Sequence, residues 1–162
     1  MGLVIALLVG GAILVGAFAY GLSKHKKLVG EGLIVSRNTD FAEYVYEFTS
    51  KIGSVRTLTE AINSLDYDMI GADMEGDIYK QRFQFGNSKF KATLVCTDFD
   101  EPSGIAIYRF QFTHFTTNGS IPTDSLSMNK LLTQIEKVFL SLDPNTGVKH
   151  YKADLKSKHS IL

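Results

Sequence analysis

The chain has 162 residues, and its 17 lysines and arginines balance its 17 aspartates and glutamates. A balanced charge excludes an overall electrostatic field that would draw the protein to nucleic acid or to acidic lipid. A single cysteine, Cys96, excludes a disulfide framework within the chain. Any electrostatic function must therefore come from a local patch on the one compact domain that this length can form.

An apolar run opens the chain, from residue 2 to residue 22, and carries no charged side chain. Its length of about 20 residues is what an α-helix needs to cross the roughly 30 Å of bilayer hydrocarbon. Lysines follow the run and none precedes it, which predicts an outside N terminus and a cytoplasmic domain. A cleaved signal peptide is the alternative, because Ala17-Phe18-Ala19 is a small-x-small pattern, but the basic n-region is missing. The pattern predicts a retained single-pass signal-anchor.

Small residues recur four positions apart in this predicted transmembrane helix and would let a second helix approach closely. The residues that would form such a packing surface are Ala6, Gly10, Ala12 and Gly16. Homo-oligomerisation through the span is therefore one interpretation, and the general frequency of small residues in membrane helices is the other.

After the predicted span the chain divides into a basic juxtamembrane connector (23–39), a soluble domain (40–147) and a basic tail (148–162) that we expect to be mobile. From Asp40 to Gly53 the apolar spacing is typical of an amphipathic helix, with Asp40 and Glu43 as a capping pair.

Two further helices are predicted. Leu58 to about Leu65 shows one apolar stripe behind a capping-box spacing at Thr57 and Glu60. The last helix, from about Thr123 to Leu142, carries a longer apolar stripe.

Between these two helices, apolar and polar residues alternate with a period of two. Aromatic and β-branched residues are frequent there and predict three antiparallel strands over 77–86, 89–98 and 104–116. The order α-α-β-β-β-α predicts an α+β fold, a two-layer sandwich with the helices on one face of a three-stranded meander. The positions expected to face the helices are Tyr79, Phe83, Phe85, Phe90, Ala92, Leu94, Cys96, Ala106, Tyr108, Phe110 and Phe112.

The opposite face of the meander is predicted to carry a basic patch formed by Lys80, Arg82, Lys91 and Arg109. Cross-strand pairing is expected to bring Arg82, Thr93 and Arg109 into one row. Such a patch suits acidic lipid headgroups or an acidic protein partner. No aromatic residue interleaves with these charges to stack bases, which disfavours nucleic acid. The alternative is a plain solvated face.

Acidic residues cluster at the turns of the predicted sheet and suggest a docking pole for a basic partner. Within this cluster, Asp66, Asp68 and Asp77 match positions of a calcium-binding loop. An isoleucine, Ile70, takes another ligand position, and a strand rather than a helix is expected to follow. These three aspartates are therefore only weak candidates for metal ligands, and the sequence does not predict a metal site.

The sequence predicts a protein that is not an enzyme and needs no cofactor. Cys96 alternates inward, where a thiol is usually a buried small hydrophobe, and the histidines share no spacing for metal binding or catalysis. The predicted function is a membrane-anchored, non-catalytic interaction module, or an accessory subunit of a membrane-associated complex, that docks through the basic sheet face. The alternative is an extracytoplasmic domain that binds a small apolar ligand among the aromatic residues between sheet and helices.

Overall fold

The computed structural model describes residues 23–65, 69–73, 81–119 and 121–153. The chain forms two compact units, Met1–Ser36 and Arg37–Leu162. In the first unit, residues 23–30 are helical (α1). This helix ends at Gly32, which has a φ of 67°. The N–H of Gly32 donates to the Val29 carbonyl and that of Leu33 to the Leu28 carbonyl, which is the paired bonding of a glycine-terminated helix.

The predicted single-pass membrane architecture is corrected by one finding. Among the helices in the described ranges, none is long and apolar enough to cross a membrane. The predicted span, residues 2–22, lies outside the described residues, as do its small residues Ala6, Gly10, Ala12 and Gly16. The predicted localisation, which depended on that span, is corrected with it, and the functional argument rests on the α+β unit.

A six-stranded sheet forms the centre of the Arg37–Leu162 unit, with the spatial order β2-β3-β4-β5-β1-β8 and antiparallel pairing between neighbours. A second, two-stranded sheet joins β6 to β7. The strands are β1 (Tyr44–Lys51), β2 (Met69–Asp73), β3 (Arg82–Gly86), β4 (Phe90–Asp100), β5 (Ile105–Phe115), β6 (Thr117–Asn118), β7 (Ile121–Pro122) and β8 (Gly147–Lys152).

The three-stranded meander that the sequence predicts is present as β3, β4 and β5, but the fold class with three strands is wrong, because the sheet has six. All the described residues that were expected to face the helices are buried, while Tyr79 lies outside the described residues. The two-residue alternation therefore identified the core face of the central strands correctly.

The helix predicted from Asp40 is also wrong. A short 3₁₀ turn, Phe41–Glu43, leads directly into β1. A strand pattern is also present, since Tyr46 and Phe48 alternate and are buried on the face that carries the helices, whereas Val45 of the helical stripe lies on the opposite face. Aromatic and β-branched side chains favour a strand, and pairing with β5 and β8 on both sides decides between the two patterns.

Besides the short strands β6 and β7, two other segments form strands where none was predicted. β2 occupies part of the stretch interpreted as acidic loops, and β8 occupies the start of the tail expected to be mobile. Both lie at the edges of the sheet. A short edge strand has one pairing side and little buried surface, so its sequence pattern is weak.

Two helices cover one face of the sheet. α2 (Val55–Asn63) begins after Ser54, whose side chain accepts a hydrogen bond from the Thr57 N–H at 3.2 Å. α3 (Ser125–Leu142) buries the predicted apolar stripe. The Phe139 ring of α3 stacks on Phe48 of β1 with a centroid distance of 4.6 Å, and α2 and α3 contribute to one core with the sheet.

The turn between β3 and β4 sets the register of the meander. Phe85 lies opposite Ala92, a register that places the apolar side chains of both strands on the buried face. Gly86 has a φ of 143°. The Asn87 side chain accepts hydrogen bonds from the N–H groups of Lys89 and Phe90 at 2.7 and 3.2 Å, which closes the turn.

The Gly86→Ala variant should lose at least about 2 kcal/mol of unfolding free energy, because a strained φ and a backbone clash act together. A Cβ at this position would overlap the Phe90 carbonyl oxygen. Gly53→Ala is the matched control, since a Cβ there meets nothing within 4 Å. Urea unfolding measures both variants, and equal midpoints for the two would contradict the turn geometry.

Candidate functional site

The sheet face opposite α2 and α3 is called the open face here, because neither helix packs on it. Its exposed side chains come from alternate positions of five strands, and the described ones include Lys51, Arg82, Gln84, Lys91, Asp98, Asp100, Ile105, Arg109, Gln111, His114, Lys149 and Tyr151.

One row of charged residues crosses the open face from strand to strand. Lys149 lies opposite Glu47, and Glu47 lies opposite Arg109. The row continues through Val95 to Arg82. Arg109 Nε donates to Glu47 Oε2 at 3.0 Å, and the carboxylate is the less exposed partner, at 15% against 49%. At the other edge of the sheet, Asp73 of β2 lies opposite Arg82. The row therefore carries three cations and two acids, Glu47 near its centre and Asp73 at its end.

The structure brings together only part of the predicted basic patch. Arg82 and Arg109 flank Val95 and lie about 10 Å apart, since two strand spacings separate them. Thr93 belongs to the next row, so the predicted row is wrong at that position. Lys91 lies four residues along β4 from Val95, about 13 Å away, and Lys80 lies outside the described residues.

Sequence reasoning missed two members of this face, Glu47 and Lys149. Glu47 was assigned to a helix and Lys149 to a mobile tail. The signal for Glu47 was present, because Tyr44, Tyr46 and Phe48 alternate with more polar residues around it. For Lys149 the exposed strand β8 gave little signal, since all six of its residues are exposed.

Apolar side chains lie between the charges of the open face. Val95 and Ile107 are half-buried, and Ile105 and Tyr151 are exposed. Val45 is buried although it does not belong to the main core cluster. Apolar and aromatic residues beside arginines are typical of protein–protein interfaces.

A groove of about 700 Å³ lies at one end of the sheet, where β1 and β5 meet the turn before β8. The Asp143 carboxylate in this groove accepts hydrogen bonds from the N–H groups of Lys51 and Asn145 at 2.8 and 2.9 Å. These bonds hold the pKa of the Asp143 carboxyl below its usual value. The carboxylate thus fastens the turn to β1, which is a structural role.

Only some of the acidic residues that were predicted to form a docking pole at the turns of the sheet lie within the described residues. Asp98 and Asp100 lie at the end of β4, whereas Asp66, Asp68 and Asp77 lie outside the described residues. In the described ranges, no three His, Cys, Asp or Glu side chains gather to hold a metal ion.

A buried polar network connects α2 to the sheet. Tyr108 Oη donates to Gln81 Oε1 at 2.6 Å, and Gln81 Nε2 donates to Thr59 Oγ1 at 3.0 Å. Burial is the main cause that raises the pKa of the Tyr108 phenol far above its usual value, and the neighbouring Cys96 adds to it. The Cys96 thiol is buried and donates to the Asp98 carbonyl at 3.4 Å. These groups are engaged in holding the core together.

The aromatic residues proposed to line a ligand cavity pack against one another. The rings of Phe110 and Phe112 meet edge to face at 5.1 Å, and Tyr108 meets Phe139 at 5.3 Å. Phe83 is completely buried. Edge-to-face contacts at these distances are the ordinary packing of an aromatic core.

Comparison of the chain with protein families, with curated proteins and with solved structures finds no match. The geometry of the open face is therefore the basis for inferring a function.

The Tyr108→Phe variant should lose about 1–3 kcal/mol of unfolding free energy, because the hydrogen bond to the buried Gln81 amide disappears. Tyr151→Phe removes the same hydroxyl from a side chain that is 43% exposed and should change the free energy by less than about 0.5 kcal/mol. Urea unfolding with an unchanged m-value measures both effects. A neutral Tyr108→Phe variant would show that the network contributes nothing to stability.

Proposed function

We propose that this chain is a non-catalytic interaction module, or an accessory subunit of a larger complex, that docks an acidic segment of a partner protein on its open face. The observation that carries the proposal is the position of Arg82 and Arg109 on either side of Val95. A half-buried apolar residue between two guanidinium groups offers a partner both an apolar contact and two charge-assisted hydrogen-bonding sites.

The ion pair with Glu47 leaves Arg109 able to bind a second carboxylate. A guanidinium has five N–H donors, and the contact to Glu47 uses the Nε donor. The two Nη groups remain in position for a carboxylate of the partner. Arg82 is exposed on the same row, so acidic residues spaced about 10 Å apart on the partner would reach both arginines.

The central position of Glu47 favours a protein partner over nucleic acid. A phosphate backbone presents a regular line of negative charge and is bound by a continuous positive track. Glu47 interrupts the row between Lys149 and Arg109. A protein segment with separate carboxylates can place them over Arg82 and Arg109 and avoid Glu47.

Two further observations support a non-catalytic role. The Cys96 thiol is buried and hydrogen-bonded to the backbone, whereas a reactive thiol is usually accessible. The Asp143 carboxylate, whose pKa is lowered, is bound to two backbone N–H groups. A general base would need a raised pKa instead.

The double variant Arg82→Gln and Arg109→Gln should bind poly-glutamate at least about tenfold more weakly than the unaltered chain, because two charge-assisted contacts are lost. Glutamine avoids the repulsion that an acid at position 109 would create with Glu47. The matched control is Arg56→Gln with Lys137→Gln, which removes two exposed charges from the helices.

Fluorescence anisotropy with labelled poly-glutamate at constant salt measures both double variants, and circular dichroism confirms that they fold. Equal weakening in the two would mean that net charge, rather than the open face, governs binding, and the proposal would fail.

The Glu47→Gln variant should bind poly-glutamate more tightly, by about two- to fivefold, since the acid beside Arg109 is removed and one unit of positive charge is gained. Glu60→Gln on α2 removes an exposed acid from an ion pair with Arg56 and serves as the control. The same anisotropy titration applies. Unchanged affinity in Glu47→Gln would show that the acidic segment does not reach this row.

A further inference from the structure

Strand β8 is an edge strand that pairs with β1 on one side and with no described strand on the other. Its register with β1 runs from Gly147 to Lys152 without a shift, so no bulge interrupts it. All six residues are exposed. An edge of this kind presents a row of backbone hydrogen-bonding groups that another strand can complete.

The backbone groups that point away from β1 can be identified. The Ala153 N–H donates to the Glu43 carbonyl at 2.9 Å, which marks this pair as a hydrogen-bonded one. Pairs in an antiparallel ladder alternate, so Lys149 and Tyr151 also bond to β1. Val148, His150 and Lys152 therefore direct their N–H and C=O groups outward.

The two lysines of β8 have acidic neighbours within their own sheet. Lys152 Nζ lies 3.1 Å from the Glu43 carboxylate of its own sheet, and Lys149 lies opposite Glu47. β8 contains no proline. Free lysines and prolines are the usual means of blocking strand addition, so this edge is open to pairing.

We infer that β8 pairs antiparallel with β8 of a second copy of this chain, on a two-fold axis that passes between the two His150 residues. The two six-stranded sheets then form one continuous sheet. This contact lies at the β8 edge of the sheet and does not involve Arg82 or Arg109, on which the proposed function depends.

The side-chain charges and the number of paired residues favour this register over the other two-fold symmetric registers of β8 with β8. With His150 on the axis, Lys149 lies opposite Tyr151 of the second copy, and Lys152 lies opposite Val148. A lysine beside an aromatic ring and a lysine beside an aliphatic residue are compatible pairs. A register with Lys149 on the axis would oppose two ammonium groups, and one with Tyr151 on the axis would pair fewer residues.

The contact should be weak and reversible. Three pairs of outward residues give about six backbone hydrogen bonds between the copies, and the exposed Val148 and Tyr151 side chains become partly covered. One pair of short edge strands buries less than the roughly 1,200 Å² of a stable interface. The dissociation constant is therefore expected to be micromolar or higher.

Cysteine cross-linking tests the register. In the His150→Cys chain, the two Cα atoms on the axis would be about 5.5 Å apart, within disulfide range. We expect a covalent dimer under mild oxidation, formed at least about tenfold faster than in Thr113→Cys, whose residue is exposed at a bulge near the end of β5, two strands away from β8. Cys96 is buried and can remain in both chains.

A mixture of Lys149→Cys and Tyr151→Cys chains should give mainly the mixed disulfide, which separates this register from its neighbours. Equal rates for His150→Cys and Thr113→Cys, or preferential self-linking of Lys149→Cys, would overturn the proposal.

Association is measured separately by sedimentation velocity at about 100 µM, above a micromolar dissociation constant. His150→Pro removes an outward N–H while leaving the hydrogen bonds to β1, so this variant should sediment as a smaller species than the unaltered chain. Identical sedimentation of the two folded proteins would contradict pairing through β8.

Discussion

Strand β1 is the element on which the sheet depends, because it pairs along both of its sides. It bonds to β5 over seven residue pairs, from Val45 to Lys51, and to β8 over six, from Tyr44 to Thr49. Without β1, the meander would end at β5 and β8 would have no partner. One face of β1 also supplies Phe48, which stacks on Phe139 and so joins the sheet to α3.

The position of β1 also determines how the two faces of the sheet differ. Arg37, at the start of the unit, donates to Asn129 and Glu136 of α3 and lies over the Tyr46 ring of β1. Burial there is the main cause that raises the pKa of Tyr46 to about 12. Polar contacts thus reinforce the helical side, while alternate residues of β1, including Glu47, carry charge onto the open face.

The sequence predicted what depends on local pattern. Strands β3 to β5 were found because alternation and aromatic content agree over a long stretch. α3 was found because its apolar stripe extends over 18 residues. β1 was assigned to a helix because Phe41, Tyr44, Val45 and Phe48 satisfy the helical period, while Tyr44, Tyr46 and Phe48 satisfy a period of two, and over so few residues the pattern alone cannot separate them. The basic patch was correspondingly placed in part, through Arg82 and Arg109.

The sequence by itself thus determined the α+β class, the buried face of the central strands and the presence of cations on the opposite face, since each follows from residue type and local periodicity. Only the tertiary structure decided that β1 and β8 extend the sheet, that Glu47 pairs with Arg109, and that Thr93 and Lys91 lie away from the arginine row. The physical reason is that these features depend on pairing between residues distant in the chain, as in the 62 positions that separate Glu47 from Arg109. Local preference carries no information about such pairing.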